Sequence, residues 1–252
     1  MGRFVTFFSW EKDAPHLNEE ARAEILKSIP PHQRRARTEG VPYLGAGTIY
    51  STPLEEILVD HFPIPDYWPR CFGMDVGWNK TAALWLAIDR ETDIAYAYSE
   101  HYVGQEEPLL HAAAIMGSGN GNERAPWIPG YIDPASKQKN QNEGKALLTA
   151  YRNLGLKLEL ANNAVEAGIY EVWQRLSTGR LKFFRHLKNL QWEYNIYRRN
   201  DKGQVVKKND HLCDCLRYAC MSGITQAKVA PSKEPVNLGH YVGGGAQSWM
   251  GT

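Results

Sequence analysis

Long apolar runs are missing from this 252-residue sequence, and no stretch approaches the roughly 18 residues that suggest a membrane span. Glu11, Lys12 and Asp13 follow the first ten residues at once, so no secretory leader is expected there. Net charge is nearly absent as well. At +1 overall, composition alone does not announce a nucleic-acid partner, and any positive surface for one has to be local. Cysteine is scarce: Cys71, Cys213, Cys215 and Cys220, the last three crowded into one predicted helix. Such neighbours seldom build a disulfide framework, and a reduced, cytoplasmic setting is the better reading. His211 with those three cysteines does not read as zinc-binding either, because helical positions two apart face nearly opposite sides and cannot converge on one ion. The glycine-rich stretch 40–47 lacks the Lys-Ser/Thr ending of a phosphate-binding loop, so no nucleotide site is expected in it. No internal repeat is evident.

What remains is the make-up of an ordinary globular chain, long enough for one large domain with appendages. Residues 1–52 read as an incomplete piece: an apolar strand at 4–10, a helix over 18–28 capped by Asn18, and a basic run at Arg34, Arg35 and Arg37. Prolines 53, 63, 65 and 69 mark 53–70 as an extended connector. A compact α/β domain is expected over 71–226. It opens with strands at 71–76, 81–89 and 94–103 joined by short links, hence an antiparallel meander. A helix over 106–116, a strand at 128–132, a helix over 143–154, a strand at 156–160, a helix over 165–177 and an extended piece at 181–184 follow. The stretches 191–197 and 204–207 bracket Asp201-Lys202-Gly203, which predicts a basic hairpin. A last helix spans 210–225, and 227–252 reads as a flexible tail. Three strands, a helix, then strand–helix alternation imply a mixed sheet with flanking helices, an element order that matches the ribonuclease H-like fold.

Several carboxylates fall at strand ends and one helix start. Asp75 closes the first strand in Gly-Met-Asp-Val-Gly, Asp133 closes a later one in Tyr-Ile-Asp-Pro, and Asp210 and Asp214 stand four apart where the last helix begins. Such positions can converge at one edge of a sheet, where open α/β folds place ligands. Phosphodiester hydrolysis asks for such a cluster, since two divalent ions about 3.5–4 Å apart need several anionic oxygens to hold them, and Mg²⁺ prefers carboxylates to nitrogen or sulfur. Taken singly, each aspartate is equally at home as a turn former or a helix cap. The reading rests on the set.

The motifs around Asp75 and Asp133, with Asn-Asp-His-Leu-Cys-Asp-Cys-Leu-Arg-Tyr-Ala at 209–219, together resemble the nuclease domain of tailed-phage terminase large subunits. Gly168-Ile169 through Leu176, Gly179-Arg180-Leu181, Leu190, Glu193 and Tyr197 are similar to that family too. Trp10, Ala14 to Leu17, Ala36-Arg37, Gly40 and Gly45 to Tyr50 resemble the end of its ATPase domain and the linker. The resemblance implies a ribonuclease H-like endonuclease that cuts concatemeric double-stranded viral DNA during packaging, using two Mg²⁺ or Mn²⁺ ions. By the same resemblance Asp75, Asp133 and Asp214 are metal ligands and His211 lies close to the metals. Asp210 binds metal directly, through water, or not at all. Portal protein and small terminase subunit are the implied partners, in the host cytoplasm and outside the mature virion. The family's packaging ATPase has no Walker A counterpart in these residues.

For DNA, nine Lys/Arg stand against two acids between 180 and 208, a local net of +7: Arg180, Lys182, Arg185, Lys188, Arg198, Arg199, Lys202, Lys207 and Lys208. They would meet phosphates, or else form a solvated hairpin with lysines guarding an edge. Lys137 and Lys139, just after Asp133, are a second candidate contact. Three other functions stay open on the residues alone: a resolvase- or transposase-type nuclease, an actin-like ATPase lobe, and a non-catalytic DNA- or portal-binding module.

Overall fold

A computed structural model of the chain describes residues 17–29, 47–117, 124–134 and 143–231. The expected strand at 4–10, the arginines at 34–37, Lys137, Lys139 and the tail beyond 231 lie outside them. In chain order the elements are α1 (Glu19–Ser28), β1 (Gly47–Thr48), α2 (Leu54–Ile57), β2 (Leu58–Val59), β3 (Arg70–Asp75), β4 (Thr81–Asp89) and β5 (Ile94–Val103). Next come α3 (Pro108–Ile115), β6 (Gly130–Ile132), α4 (Glu143–Asn153), β7 (Leu158–Leu160), α5 (Val165–Ser177), β8 (Leu181–Phe184), α6 (Lys188–Ile196) and β9 (Arg198–Arg199). The last helix runs as α7 (His211–Tyr218), a π-helical stretch (Ala219–Gly223) and α8 (Ile224–Gln226).

Seven strands form one mixed sheet in the order β2-β8-β5-β4-β3-β6-β7. The meander β3-β4-β5 is antiparallel as its short links require, while β6 joins β3, β7 joins β6 and β8 joins β5 in parallel. β4 lies at the centre and reads Thr-Ala-Ala-Leu-Trp-Leu-Ala-Ile-Asp, buried up to its last residue. A strand covered on both faces needs such a continuous apolar run. Residues 53–70 are not wholly extended: they hold α2 and also supply β2, the sheet's edge strand, which pairs in parallel with β8. Among the described residues no helix is long and apolar enough to cross a membrane.

α7 lies directly on β3 and β4. Gly73 makes that approach possible, because a Cβ there would sit 1.9 Å from the Cys215 carbonyl oxygen. Neighbouring Cys215 also donates its thiol to the Ala82 carbonyl, 3.4 Å away.

One expected element is corrected. Residues 191–197 do not form a strand, since Lys188–Ile196 is helical. The aromatics Trp192 and Tyr194 alternate as a strand's would, but the buried set Leu190, Glu193, Tyr194 and Tyr197 has the i, i+3, i+4, i+7 spacing of a helix face. The turn itself stands. Asn200 donates to the Gln204 carbonyl at 2.9 Å, Arg199 bridges to Val205, and Gly203 takes the positive φ of 77° that the reversal needs. The hairpin is short, and β9 turns its other edge to β1.

Candidate active site

Three elements deliver the acids to one end of the sheet. β3 and β6 run parallel with Met74 opposite Ile132, so Asp75, the last residue of β3, and Asp133, the first after β6, come side by side. The Asp133 amide extends the ladder by donating to the Met74 carbonyl at 3.2 Å. Above them α7 begins after Asn209, which holds a left-handed φ of 54°, a conformation that Asn tolerates better than most side chains. Asp210 and Asp214 then lie one turn apart, joined by the Asp214 amide to the Asp210 carbonyl at 2.8 Å.

His211 Nδ1 lies 2.7 Å from Asp75 Oδ2. That hydrogen bond holds the His211 imidazole above its ordinary range against the opposing effect of burial, with Asp75's charge adding to it. Burial pushes the Asp75 carboxyl up. His211 pulls it down, while the charges of Asp214 and Asp133 push it up again, which is the electrostatic mark of acids brought close together.

Asp214 is buried, and both its oxygens are engaged. Arg217, 0% exposed, donates to Oδ1 from Nη2 at 2.8 Å and from Nε at 3.2 Å. Lys207 Nζ donates to Oδ2 at 3.0 Å. Asn163 links the two halves of the site: its amide nitrogen donates to Asp133 Oδ1 at 3.0 Å, and its oxygen accepts from Arg217 Nη1 at 3.4 Å. Gly168 leaves room for the arginine, because a Cβ there would lie 2.5 Å from Arg217 Cγ. Lys207 Nζ also lies 3.3 Å from Asp210 Oδ2. That oxygen is buried and accepts no hydrogen bond of good geometry. Burial raises the Asp210 carboxyl, the charge of Asp214 raises it further, and Lys207 offsets part of both.

Glu193, on α6, is 0% exposed. Its Oε2 accepts from the amides of Leu212 at 2.6 Å and Cys213 at 3.2 Å, and its Oε1 from the Tyr102 hydroxyl at 2.7 Å.

The donor set suits a hard divalent cation, with four carboxylates at one sheet end and one buried oxygen left without a hydrogen bond. As the side chains stand, no three acidic, histidine or cysteine groups among the described residues are close enough to hold an ion. Lys207 and Arg217 pair with Asp214, and His211 pairs with Asp75. Of the two cations on Asp214, Lys207 is the exposed one, at 57% against 0% for Arg217.

No family model matches the chain. Among curated proteins it is 30% identical over 222 residues to the "Terminase, large subunit" of Enterobacteria phage LP7, a match that spans 85% of this chain and 46% of that protein. It is 30% identical over 217 residues to the protein of the same description from Salmonella phage P22, covering 83% of this chain and 42% of the relative. The solved P22 large terminase nuclease domain superposes with a TM-score of 0.66 at 27% identity, over 74% of this chain and 96% of that domain. The chain is a homologue of terminase large subunits. It spans a little under half the length of the curated relatives it matches, and its mixed sheet with flanking helices is that of a terminase nuclease domain.

In this terminase homologue the basic residues between 180 and 208 do not act as one patch. Arg180 sits at the start of β8, at the opposite end of the sheet from Asp75, and pairs with Asp93 at 2.7 Å. Lys182 donates to the Glu56 carbonyl, and Arg185 pairs with Asp60 and Glu55. Arg199 is buried and forks onto Glu166 at 2.9 and 2.7 Å. Lys188, Arg198, Lys202 and Lys208 are exposed. Arg198 and Lys208 line a groove of about 1000 Å³ with Thr48, Asn195 and Asn209, the residue that precedes Asp210 in the chain. The four cysteines are buried thiols. Asn163 and the role of Lys207 as counter-ion were not legible in the sequence, and Glu193 stood out only within the family-like stretch.

Proposed function

We propose that this chain is the nuclease part of a terminase large subunit, cutting double-stranded viral DNA during genome packaging by metal-assisted phosphodiester hydrolysis. The observation that carries the reading is the arrival of Asp75, Asp133, Asp210 and Asp214 at one end of the sheet from three separate elements. Asp75, Asp133 and Asp214 would hold Mg²⁺ or Mn²⁺, two ions in all, with Asp210 as a fourth ligand or reaching the ions through water. Bound there, the ions would stabilise the attacking and leaving oxygens of the phosphate. His211 orients Asp75 through their hydrogen bond, and the Asn163–Arg217 pair fixes the distance between Asp133 and Asp214. Residues 71–226 would form the nuclease unit, with β2 from the 53–70 join completing its sheet, 1–52 as the end of an ATPase region and 227–252 as a tail. In the complete protein, portal and small terminase subunit would be the partners, in the host cytoplasm and outside the virion. Plasmid DNA should be nicked and linearised with Mg²⁺ or Mn²⁺ and left intact in EDTA. Cleavage that persists unchanged in excess EDTA would sink the metal reading.

DNA would run along the groove that Arg198, Lys208 and Asn209 line. Arg198, Lys208 and the exposed Lys202 are the cations proposed to meet its phosphates. Lys188 stands earlier in the same segment, and Lys137 and Lys139, which follow Asp133 in the sequence, are proposed as a second contact. Arg180, Lys182, Arg185 and Arg199 would contribute chiefly through the ion pairs and hydrogen bonds they already make. Changing Arg198, Lys202 and Lys208 together to Ala should weaken DNA binding and lower the slope of log affinity against log salt by about one per lost contact. The cleavage rate at saturating DNA should fall less than affinity does. A slope equal to that of the parent chain would send the DNA path elsewhere.

A further inference from the structure

Every α-helix begins with amides that have no acceptor inside the helix, and a side chain at the N-cap commonly supplies one. In α7 the N-cap residue is Asp210, an acid well suited to the task, yet its side chain makes no capping bond. The acceptor comes instead from Glu193, two elements earlier, which takes the amides of Leu212 and Cys213 on a single oxygen. Its other oxygen takes the Tyr102 hydroxyl from β5. Glu193 makes no ion pair among the described residues, so neutral donors and the positive end of the α7 dipole hold a fully buried carboxylate.

Resting on the nuclease reading above, we infer that Glu193 is a positioning residue: it ties α6, β5 and the start of α7 together so that Asp210, His211 and Asp214 face Asp75. Because Glu193 caps the helix from outside, Asp210 is left unspent and turns its buried oxygen toward Lys207. The tether acts at the right place. It grips residues 212 and 213, between Asp210 and Asp214, so any rotation of the helix that moved those acids would also stretch these bonds. It also ends on β5, whose neighbour β4 pairs directly with β3 and Asp75. The acids on the helix and the acid on the strand are thereby referred to one frame.

The test compares Glu193→Gln, Glu193→Ala and Tyr102→Phe with the parent in the full chain. Amide hydrogen exchange at Leu212 and Cys213, calorimetric Mn²⁺ binding, and kcat and KM on plasmid DNA would be measured for each. In Glu193→Ala the two amides should exchange at least about tenfold faster relative to those of β4. Its Mn²⁺ affinity and kcat should each fall about 10–100-fold, as for other groups that orient metal ligands, with KM for DNA nearly unchanged. Glu193→Gln keeps an acceptor oxygen of the same reach, so it should recover part of the exchange protection and part of the Mn²⁺ affinity. If Glu193→Ala does not fold, the Gln and Phe variants decide the matter. Parent-like exchange, Mn²⁺ affinity and kcat in both would overturn the inference. A parent chain that neither binds Mn²⁺ nor cuts DNA would overturn the nuclease reading instead, while the exchange rates still report whether Glu193 holds the helix.

Discussion

Asp75→Asn should cut the DNA cleavage rate at least about a hundredfold, equivalent to about 2.7 kcal/mol of barrier, while leaving the melting temperature nearly where it was. The side chain keeps its shape and can still accept from His211 Nδ1, so the loss is of a ligand charge and not of packing. Asp214→Asn should be at least as damaging to cleavage and should also cost stability. Its carboxylate is the counter-charge of Arg217, whose side chain is 0% exposed, and removing one partner of a buried pair typically costs about 3 kcal/mol or more. Asp210→Asn should do less to cleavage than either, since its oxygen makes only the ion pair with Lys207. Rates with Mn²⁺ and thermal melts of the three proteins separate these outcomes. An Asp75→Asn protein with parent-like activity would refute the assignment of the acids.

Gly73→Ala is expected to be the most damaging change outside the acids. The added Cβ would meet backbone, the Cys215 carbonyl at 1.9 Å, which cannot rotate aside as a flexible side chain would. Overpacking of this kind costs about 1–3 kcal/mol, occasionally more, and a backbone collision belongs at the upper end. At about 2–4 °C per kcal/mol for a chain of this size, the melting temperature should drop by roughly 6–12 °C. Cleavage should fall too, because lifting α7 from β3 separates Asp214 from Asp75. A melt within a degree or two of the parent would mean that helix and strand do not approach as closely as described.

Much of this arrangement was legible in the residues. The meander was readable because β4 (Thr81–Asp89) carries a nearly unbroken apolar run and β5 (Ile94–Val103) an apolar and aromatic one interrupted only at Ser99–His101, between short links. The positions of the four aspartates in the fold were readable because strand ends and a helix start are marked by local signals. Helix α6 was misread because two aromatics alternate over a short window, and period 2 and period 3.6 are hard to separate there. Its correct period would have placed Glu193 on the buried face with Leu190, Tyr194 and Tyr197, and an acid among core positions asks for partners. Asn163 had no such signal. Its place between Asp133 and Arg217 depends on how α5 sits against α7, and no sequence spacing encodes that.

The basic segment shows a different limit. A count of charges finds nine cations but does not say which already have partners. Arg180 with Asp93, Arg185 with Asp60 and Arg199 with Glu166 are pairs between residues 33 to 125 positions apart, so a local net charge overstates what is left for phosphates.

The acids are also far apart in the order of synthesis. Asp75 emerges from the ribosome about 140 residues before Asp214, an interval of roughly 7–30 s at about 5–20 residues per second. For most of that time the nascent chain carries β3 and then β6 but not the helix that completes the cluster, and Glu193 and Lys207 emerge only shortly before that helix. The cluster is therefore completed in a late step, and a chain interrupted before residue 211 would lack His211, Asp214 and Arg217.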